Sequence, residues 1–368
     1  MIKSYNQFWE ELTPAYPVTK GKCKIPIATQ LENFHHVNIE KTINDLDSIM
    51  QKIFTKEKEA RVLADTWYER WFTHLYEGHY TGVVRFDCMF DQNNQLKVVE
   101  ANTNRPDGLL MHDITYSALS WTKNTKHMDL FLTFFDKAEY IFILYEKWGL
   151  EDVHFLEYET LKKFWYKVWI WVFDDIVFKN GKALYDGNTI DVIRLSMNSW
   201  RCTMSEYAPL QSAKLRYVNT FDMAWFADKS LLTWVDHPMV MKTYILHHEN
   251  KNLVLQNKNL FVIKPTNLNE WIWVYIGIDM DQTEREHLIE TNIDNNYLAQ
   301  EYITISPKKT ALYQDGGILE DNYYYDFCPH LFYKNAKLIG VWHILVRYSN
   351  NKIVNVLRWG GIGYYQEG

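Results

Sequence analysis

Two short runs, Val83-Val84-Arg85-Phe86-Asp87 and Val98-Val99-Glu100-Ala101-Asn102, flank the polar stretch Asp91-Gln92-Asn93-Asn94-Gln95. The runs alternate with the period of a strand and the stretch between them has turn chemistry, so the segment predicts an antiparallel hairpin. Side chains two positions apart on a strand share a face. Arg85 then stands beside Asp87, Glu100 beside Asn102, and closure of the hairpin brings all four to one surface. Two carboxylates, an amide and a guanidinium suit Mg²⁺ and phosphate. Mg²⁺ is commonly held by one or two carboxylates plus substrate phosphates, and an adjacent arginine stabilises charge on a transferring phosphoryl group. A solvated hairpin face with a surface ion pair is the alternative reading of the same residues.

The chain of 368 residues is too long for one simple core, so two or three lobes are expected. Its net charge of −7 argues against a nucleic-acid binder built on phosphate contacts. Cys23, Cys88, Cys202 and Cys328 are scattered without a Cys-x-x-Cys pair, which favours reduced thiols over a disulfide framework or zinc site. Cys88 falls on the opposite hairpin face from Asp87 and reads as core packing. The histidines show no metal-type spacing; the adjacent pairs His35-His36 and His247-His248 point apart on regular elements. No run reaches the roughly 18 apolar residues of a membrane span, and Met1 to Asn6 lack an apolar signal core. A cytoplasmic protein that engages neither membrane nor nucleic acid is expected. Its oligomeric state is not legible.

Three units are expected along the chain. Residues 1–125 form a helical region plus the hairpin. Within it Ile39, Ile43, Leu46 and Met50 have helical spacing behind Asn38 as N-cap. Helices are also expected over 60–76 and 109–121. Residues 126–206 read as a small open α/β unit. Its strands are expected at Tyr140–Tyr145, Val153–Leu156 and Thr189–Leu195, with a helix from Glu157 to Phe164 and a hairpin turn at Lys179-Asn180-Gly181-Lys182. Residues 207–368 form the third unit. It holds strands at Leu260–Pro265 and Tyr297–Ile303, and a final pair, Gly340–Arg347 and Lys352–Arg358, joined by a turn at Asn350-Asn351.

From Val83 to the C-terminus the spaced segments resemble the circularly permuted ATP-grasp ligases of the glutathionylspermidine-synthase type. Arg85-x-Asp87 followed by Glu100-x-Asn102 is similar to that family's Mg²⁺ and phosphate site. Asp228-Lys229 resembles the segment with its first ATP-contacting lysine, and Val262-Ile263-Lys264-Pro265 the strand with its second. The two lysines stand 35 positions apart, similar to the family's spacing. Gln300-Glu301-Tyr302-Ile303 resembles the hinge that holds adenine and ribose. Ile190 to Arg194 resembles the closing strand of the preceding open-sheet domain.

The resemblance implies an α/β (α+β) protein with a permuted ATP-grasp fold and a small pre-ATP-grasp domain. It implies ATP and Mg²⁺ as cofactors and an ADP-forming carboxylate–amine ligase that makes an amide through an acyl phosphate. The substrates would be a small carboxylate and an amine, with a peptide-like or carrier-bound molecule and a natural-product pathway among the options. Asp87, Glu100 and Asn102 would ligate metal, and Lys229 and Lys264 would hold the triphosphate. Arg85 would contact the transferring phosphoryl group, with Arg347, or Arg358 in its place, as the second such contact. One departure stands out. Where the family has a glycine-rich loop, this chain has Thr266 to Val274 with Trp271 and Trp273 in it. Two indoles cannot make the close backbone cradle that glycines make. Either they cover the nucleotide as a lid or phosphate binding is impaired, and the second case leaves a nucleotide-binding pseudoenzyme or regulatory subunit as the alternative function. A kinase using the same ATP site on a hydroxyl acceptor is a third reading.

Overall fold

The structure is a computed structural model. It describes residues 27–29, 37–60, 80–104, 106, 126–145, 152–195, 208–210, 212–213, 215–267, 273–314, 317–341, 344–354 and 360–364. The helix expected over 60–76, apart from Ala60, the helix expected over 109–121, Trp271, Arg358, Cys23, Cys202 and the pair His35-His36 lie outside the described residues.

Nine strands make the largest sheet among the described residues. They are β1 (Ile27–Ala28), β2 (Gly82–Phe90), β3 (Leu96–Asn102), β15 (Lys308–Gln314), β16 (Gly317–Cys328), β17 (His330–Lys334), β18 (Lys337–Val341), β19 (Leu345–Ser349) and β20 (Gly360–Tyr364). Their order is β15-β1-β20-β19-β16-β2-β17-β18, with β3 paired to β2. The expected hairpin is therefore continuous with strands from the far end of the chain. Helix α1 (Ile39–Phe54) starts at the expected N-cap, Asn38, whose Oδ1 accepts the Lys41 N–H at 2.9 Å. Its Leu46, Ile49, Met50, Ile53 and Phe54 join the core that also holds Val84, Phe86, Cys88 and Phe327.

A parallel sheet follows, built from β4 (Tyr140–Leu144), β5 (Lys167–Trp171), β9 (Val192–Leu195) and β10 (Arg216–Val218) in the order β10-β9-β4-β5. Its fourth strand comes from beyond residue 206. Apolar side chains cover both faces, as a parallel sheet requires: Phe142, Leu144 and Ile193 join the first core, Ile141, Ile143 and Val192 the second. The second core also takes Phe131, Phe134 and Phe135 from a helical segment, and Val83, Cys328 and Phe332 from the large sheet. It thus fills the space between the two sheets.

Two expectations here need correction. Val153–Leu156 is not a strand but the start of helix α3 (Asp152–Lys163), which follows α2 (Lys126–Leu132). A four-residue stretch with three apolar members fits either element, and the helical stretch after it decides the matter. The segment Thr189–Leu195 is not one strand. Asn188–Thr189 forms β8, which closes a small meander with β6 (Val177–Lys179) and β7 (Lys182–Tyr185), and the chain crosses to β9 at Ile190-Asp191. Asp191 marks the crossing: its Oδ2 accepts the N–H groups of Glu139 and Tyr140 at 2.8 and 2.9 Å. The turn at Asn180-Gly181 is as expected, with positive φ at both residues (53° and 69°) and Lys179 opposite Lys182.

The third sheet is antiparallel, β11 (Thr243–Ile245), β14 (Tyr297–Glu301), β12 (Phe261–Pro265) and β13 (Tyr275–Ile276) in that order. Phe261, Ile263 and Ala299 pack with Val254 of α4 (Lys251–Gln256) and Ile289 of α5 (Gln282–Thr291). Strand alternation then turns Lys264 and Gln300 to the opposite face. The final strand pair differs from expectation. Gly340 belongs to β18, paired with β17, whereas Arg347 lies on β19 between β16 and β20. Lys352 and Ile353 form a bend rather than a strand, since the Asn351 side chain accepts the Ile353 N–H at 3.3 Å and turns the chain.

Candidate functional site

The hairpin register places Asp87 directly opposite Glu100 and Arg85 opposite Asn102. Asp91 closes the turn, with its Oδ1 accepting the N–H groups of Asn93 and Gln95 at 2.8 and 2.9 Å. One irregularity interrupts the ladder: Cys88 pairs with Val98, so Val99 is an extra residue. Such a bulge re-aims the side chains on either side of it. Here it lets Val98 and Ala101 both enter the core while Glu100 and Asn102 keep the other face.

The bulge also frees the Val99 carbonyl for use. Lys264 Nζ donates to it at 3.3 Å and Gln300 Nε2 at 3.2 Å, and Gln300 also bonds Thr243 Oγ1 at 3.2 Å. The face of the third sheet that carries Lys264 and Gln300 is thus seated on the hairpin. Lys229 arrives from a separate direction. Asp228 caps the short 3₁₀ segment Lys229–Trp234 by accepting the Ser230 N–H at 2.8 Å. The Lys229 N–H donates to Thr266 O at 2.8 Å, just beyond β12, and its Nζ lies 3.6 Å from Glu100 Oε2. Both lysines therefore converge on the hairpin. Burial pushes Lys264 down to about 8, against the pull of Glu100 and with the push of Lys229.

Arg347 joins from β19. Arg85 Nε and NH2 donate to Asp87 Oδ1 and Oδ2 at 2.7 and 3.1 Å, and Arg347 NH2 donates to Oδ2 at 2.8 Å. Burial opposes ionisation of Asp87, but Arg347 and Arg85 outweigh it and hold the carboxyl well below the usual range. Arg347 also bonds Asp326, its direct cross-strand partner, through Nε at 3.0 Å to each oxygen and through NH2. The Cys328 thiol donates to Asp326 Oδ1 at 3.2 Å and lies 3.6 Å from Asp87 Oδ1.

Of the other residues singled out in the sequence, Glu301 is exposed at the end of β14, where its N–H donates to Lys242 O at 2.8 Å. Tyr302 and Ile303 follow outside the strand, and the Tyr302 N–H donates to Leu260 O at 2.7 Å. Gln300 is buried and turned toward the hairpin rather than outward. Trp273 is exposed with φ of 69°. His247 and His248 both lie beside Asp294 on the surface. Cys88 is fully buried in the core.

Sequence reasoning missed Asp326 and Asn219. The alternation Tyr324-x-Asp326-x-Cys328 places Asp326 on one face of an apolar strand, and that was its signal. Asn219 has none, because its importance comes from position. Its Oδ1 accepts the Val83 N–H at 3.0 Å, and its Nδ2 donates to Val83 O at 2.8 Å and to Thr103 O at 2.7 Å. A Cβ on Gly82 would sit 2.4 Å from the Asn219 Cγ, so this approach requires glycine. Asn219 thereby fixes the hairpin at the root of both strands.

Among the described residues no cluster of three or more His, Cys, Asp or Glu forms a ready metal cage. The Asp87, Glu100 and Asn102 oxygens nonetheless fit Mg²⁺ in kind, because that ion keeps several waters and phosphate oxygens and asks few ligands of a protein. The site as a whole gathers four cationic side chains, Arg85, Arg347, Lys229 and Lys264, and three carboxylates, Asp87, Glu100 and Asp326. The surplus of positive charge suits a polyanion.

No protein-family model matches the sequence, and none of the curated proteins matches it. Among solved structures, the chain is similar to a glutathione synthetase-like effector from Globodera pallida in its apo form. That similarity has 12% identity and a TM-score of 0.59, and it covers 99% of this chain and 96% of the other. It is also similar over 88% of its length to 87% of a candidate gamma-glutamylcysteine synthetase from Methylobacillus flagellatus, at 9% identity and a TM-score of 0.46. A further similarity, to D-alanyl-alanine synthetase A from Vibrio cholerae, spans 62% of this chain and 88% of that one at 8% identity and a TM-score of 0.33. The first of these shares its fold with nearly the whole chain. The chain thus has a mixed α/β fold that it shares along nearly its whole length with that effector, and the α/β class is the one the sequence led one to expect. No helix among the described residues is long and apolar enough to cross a membrane.

Proposed function

We propose that this chain is an ATP-dependent carboxylate–amine ligase that forms an amide through an acyl phosphate. The observation that carries the reading is the convergence of Lys229 and Lys264, from two separate elements, on the Val99-Glu100 segment of the hairpin. Lys229 and Lys264 would hold the triphosphate, Arg85 and Arg347 would contact the transferring phosphoryl group, and the four together would offset its repulsion for an anionic carboxylate. Glu301, Tyr302 and Ile303 would flank the nucleoside. Phosphoryl transfer is catalysed largely by such positioning and charge stabilisation. Mg²⁺ would be held by Asp87, Glu100 and Asn102, and when bound it would neutralise charge on the phosphates. Asp87 would then exchange guanidinium contacts for the cation. The circular permutation, the three-unit division at 125 and 206, with β10 carrying the open sheet past 206, and a cytoplasmic location are part of this reading.

The small carboxylate would be phosphorylated by ATP with release of ADP, and the amine would then displace phosphate. The two substrates are identified here only by those groups; a peptide-like or carrier-bound substrate fits the same chemistry. ADP release in the presence of candidate acids and amines tests the proposal, with hydroxylamine added to trap the acyl phosphate as a hydroxamate. ADP formed without any hydroxamate would point to a kinase instead. A second reading, a nucleotide-binding subunit without turnover, is favoured by one feature: both oxygens of Asp87 already face arginines. ATP binding with no ADP from any acceptor would select it.

A further inference from the structure

Arg347 is held by two carboxylates that differ in situation. Asp87 lies between two guanidiniums and, on the ligase reading above, turns to a cation when substrate binds. Asp326 is only 2% exposed and sits directly across the strand pair from Arg347. Its two oxygens accept the Arg347 Nε–H at 3.0 Å each, and NH2 adds a further bond to Oδ2. The Cys328 thiol, two residues along the same strand, also donates to Asp326 Oδ1 and adds a second hold on the carboxylate. The arginine is thus fixed near its root by Asp326, while NH2 also reaches forward to Asp87.

We infer that Asp326 is the positioning residue that keeps Arg347 in the site when Asp87 engages metal. The inference rests on the ligase reading for its catalytic meaning. A free arginine side chain has several rotatable bonds, and ordering it during the reaction costs free energy; a buried cross-strand carboxylate supplies that order beforehand. Without Asp326, Asp87 becomes the carboxylate on which Arg347 depends, and the guanidinium competes with Mg²⁺ for it. Asp326 therefore separates two duties that would otherwise fall on a single carboxylate.

Arg347 Nε–H exchange with solvent, followed by NMR with Arg347→Lys used for assignment, reads this directly. Asp326→Asn is expected to speed that exchange about tenfold or more, as loss of a charge-assisted hydrogen bond would, while Arg85 Nε–H is unchanged. In turnover, Asp326→Asn is expected to lower kcat by about a hundredfold, the scale of a lost charge stabiliser. The KM for ATP should move little and the Mg²⁺ concentration for half-maximal rate should rise. A role confined to folding would not split kcat from KM or shift the Mg²⁺ requirement. If Asp326→Asn does not fold, Asp326→Glu keeps the charge but displaces the guanidinium and is expected to show the same losses. Unchanged exchange, or wild-type kcat and Mg²⁺ dependence in the folded variant, overturns the inference. Absence of ADP formation by the wild type would instead refute the ligase reading, and the exchange measurement would still decide whether Asp326 holds Arg347.

Discussion

Arg347 and Asp87, separated by 260 positions in the chain, are joined by a hydrogen bond of 2.8 Å. The contact ties the hairpin near one end of the chain to a strand near the other. It has an energetic consequence, because Asp87 is buried and balances two guanidiniums at once.

Asp87 and Glu100 face each other, yet their removal is expected to differ in stability. Asp87→Ala removes a counter-charge from Arg85 and one of the two carboxylates on Arg347, which keeps Asp326, and should cost about 3–5 kcal/mol, the range for breaking a buried ion pair. Glu100 is more exposed and its Lys229 partner lies at 3.6 Å, so Glu100→Ala should cost under about 1 kcal/mol. Both variants should lose ADP formation. Chemical denaturation alongside the activity assay separates the effects, and equal losses of stability would contradict the ion-pair geometry.

The hairpin was legible because strand alternation and turn chemistry are local. Arg85, Asp87, Glu100 and Asn102 fell on the expected face for that reason. The bulge at Val99 was not legible, since an extra residue changes no composition, yet it supplies the carbonyl on which Lys264 and Gln300 meet. Val153–Leu156 and Thr189–Leu195 depart from expectation because short segments of mixed polarity do not declare their element or its ends, and only tertiary context assigns them. Asp326 and Asn219 act through partners more than twenty and more than one hundred positions away, respectively, which no window of sequence displays.

Asn219 is expected to matter more than an ordinary buried amide. Three of its hydrogen bonds hold both strands of the hairpin, so Asn219→Ala leaves the Val83 N–H and two carbonyls without those partners. The loss should be about 2–4 kcal/mol, more than a single buried hydrogen bond brings. Gly82→Ala should be similarly harmful, because the added methyl would meet the Asn219 side chain. Urea midpoints check both, and a change below about 0.5 kcal/mol, the scale of a neutral surface substitution, would show that Asn219 does not anchor the hairpin.

Lys264 predicts a pH dependence. Its folded value is lowered to about 8 from 10.5. Between those values the unfolded chain binds this proton more readily than the folded one, so stability should rise with pH across that window. Below about pH 8 the lysine is charged in both states and the full burial penalty is present. Affinity for the triphosphate should run the other way, falling as pH rises through about 8 while the ammonium is lost. Calorimetric titration with ATP between pH 6.5 and 9.5, the range spanning this group, should show that fall in wild type and not in Lys264→Met. An identical pH profile in both would exclude Lys264 from the binding step.

Glu157 and Arg194 form a second buried pair, remote in sequence from the hairpin but connected to it. Arg194 Nε and NH2 donate to the two Glu157 oxygens at 3.0 Å each, and its NH1 donates to the carbonyls of Leu195 and Val218 at 3.1 and 3.2 Å. NH1 also lies 3.4 Å from Asn219 Oδ1, on the same amide that grips Val83. Glu157→Gln should destabilise by about 3–5 kcal/mol because it leaves Arg194 buried without its counter-charge. Replacing both residues, with Glu157→Gln and Arg194→Met, should recover a large part of that loss, since the desolvation of the guanidinium disappears with it. A double variant no more stable than the single one would show that Arg194 serves chiefly through its carbonyl contacts. The open sheet would then be coupled to the hairpin by backbone bonding rather than by the ion pair.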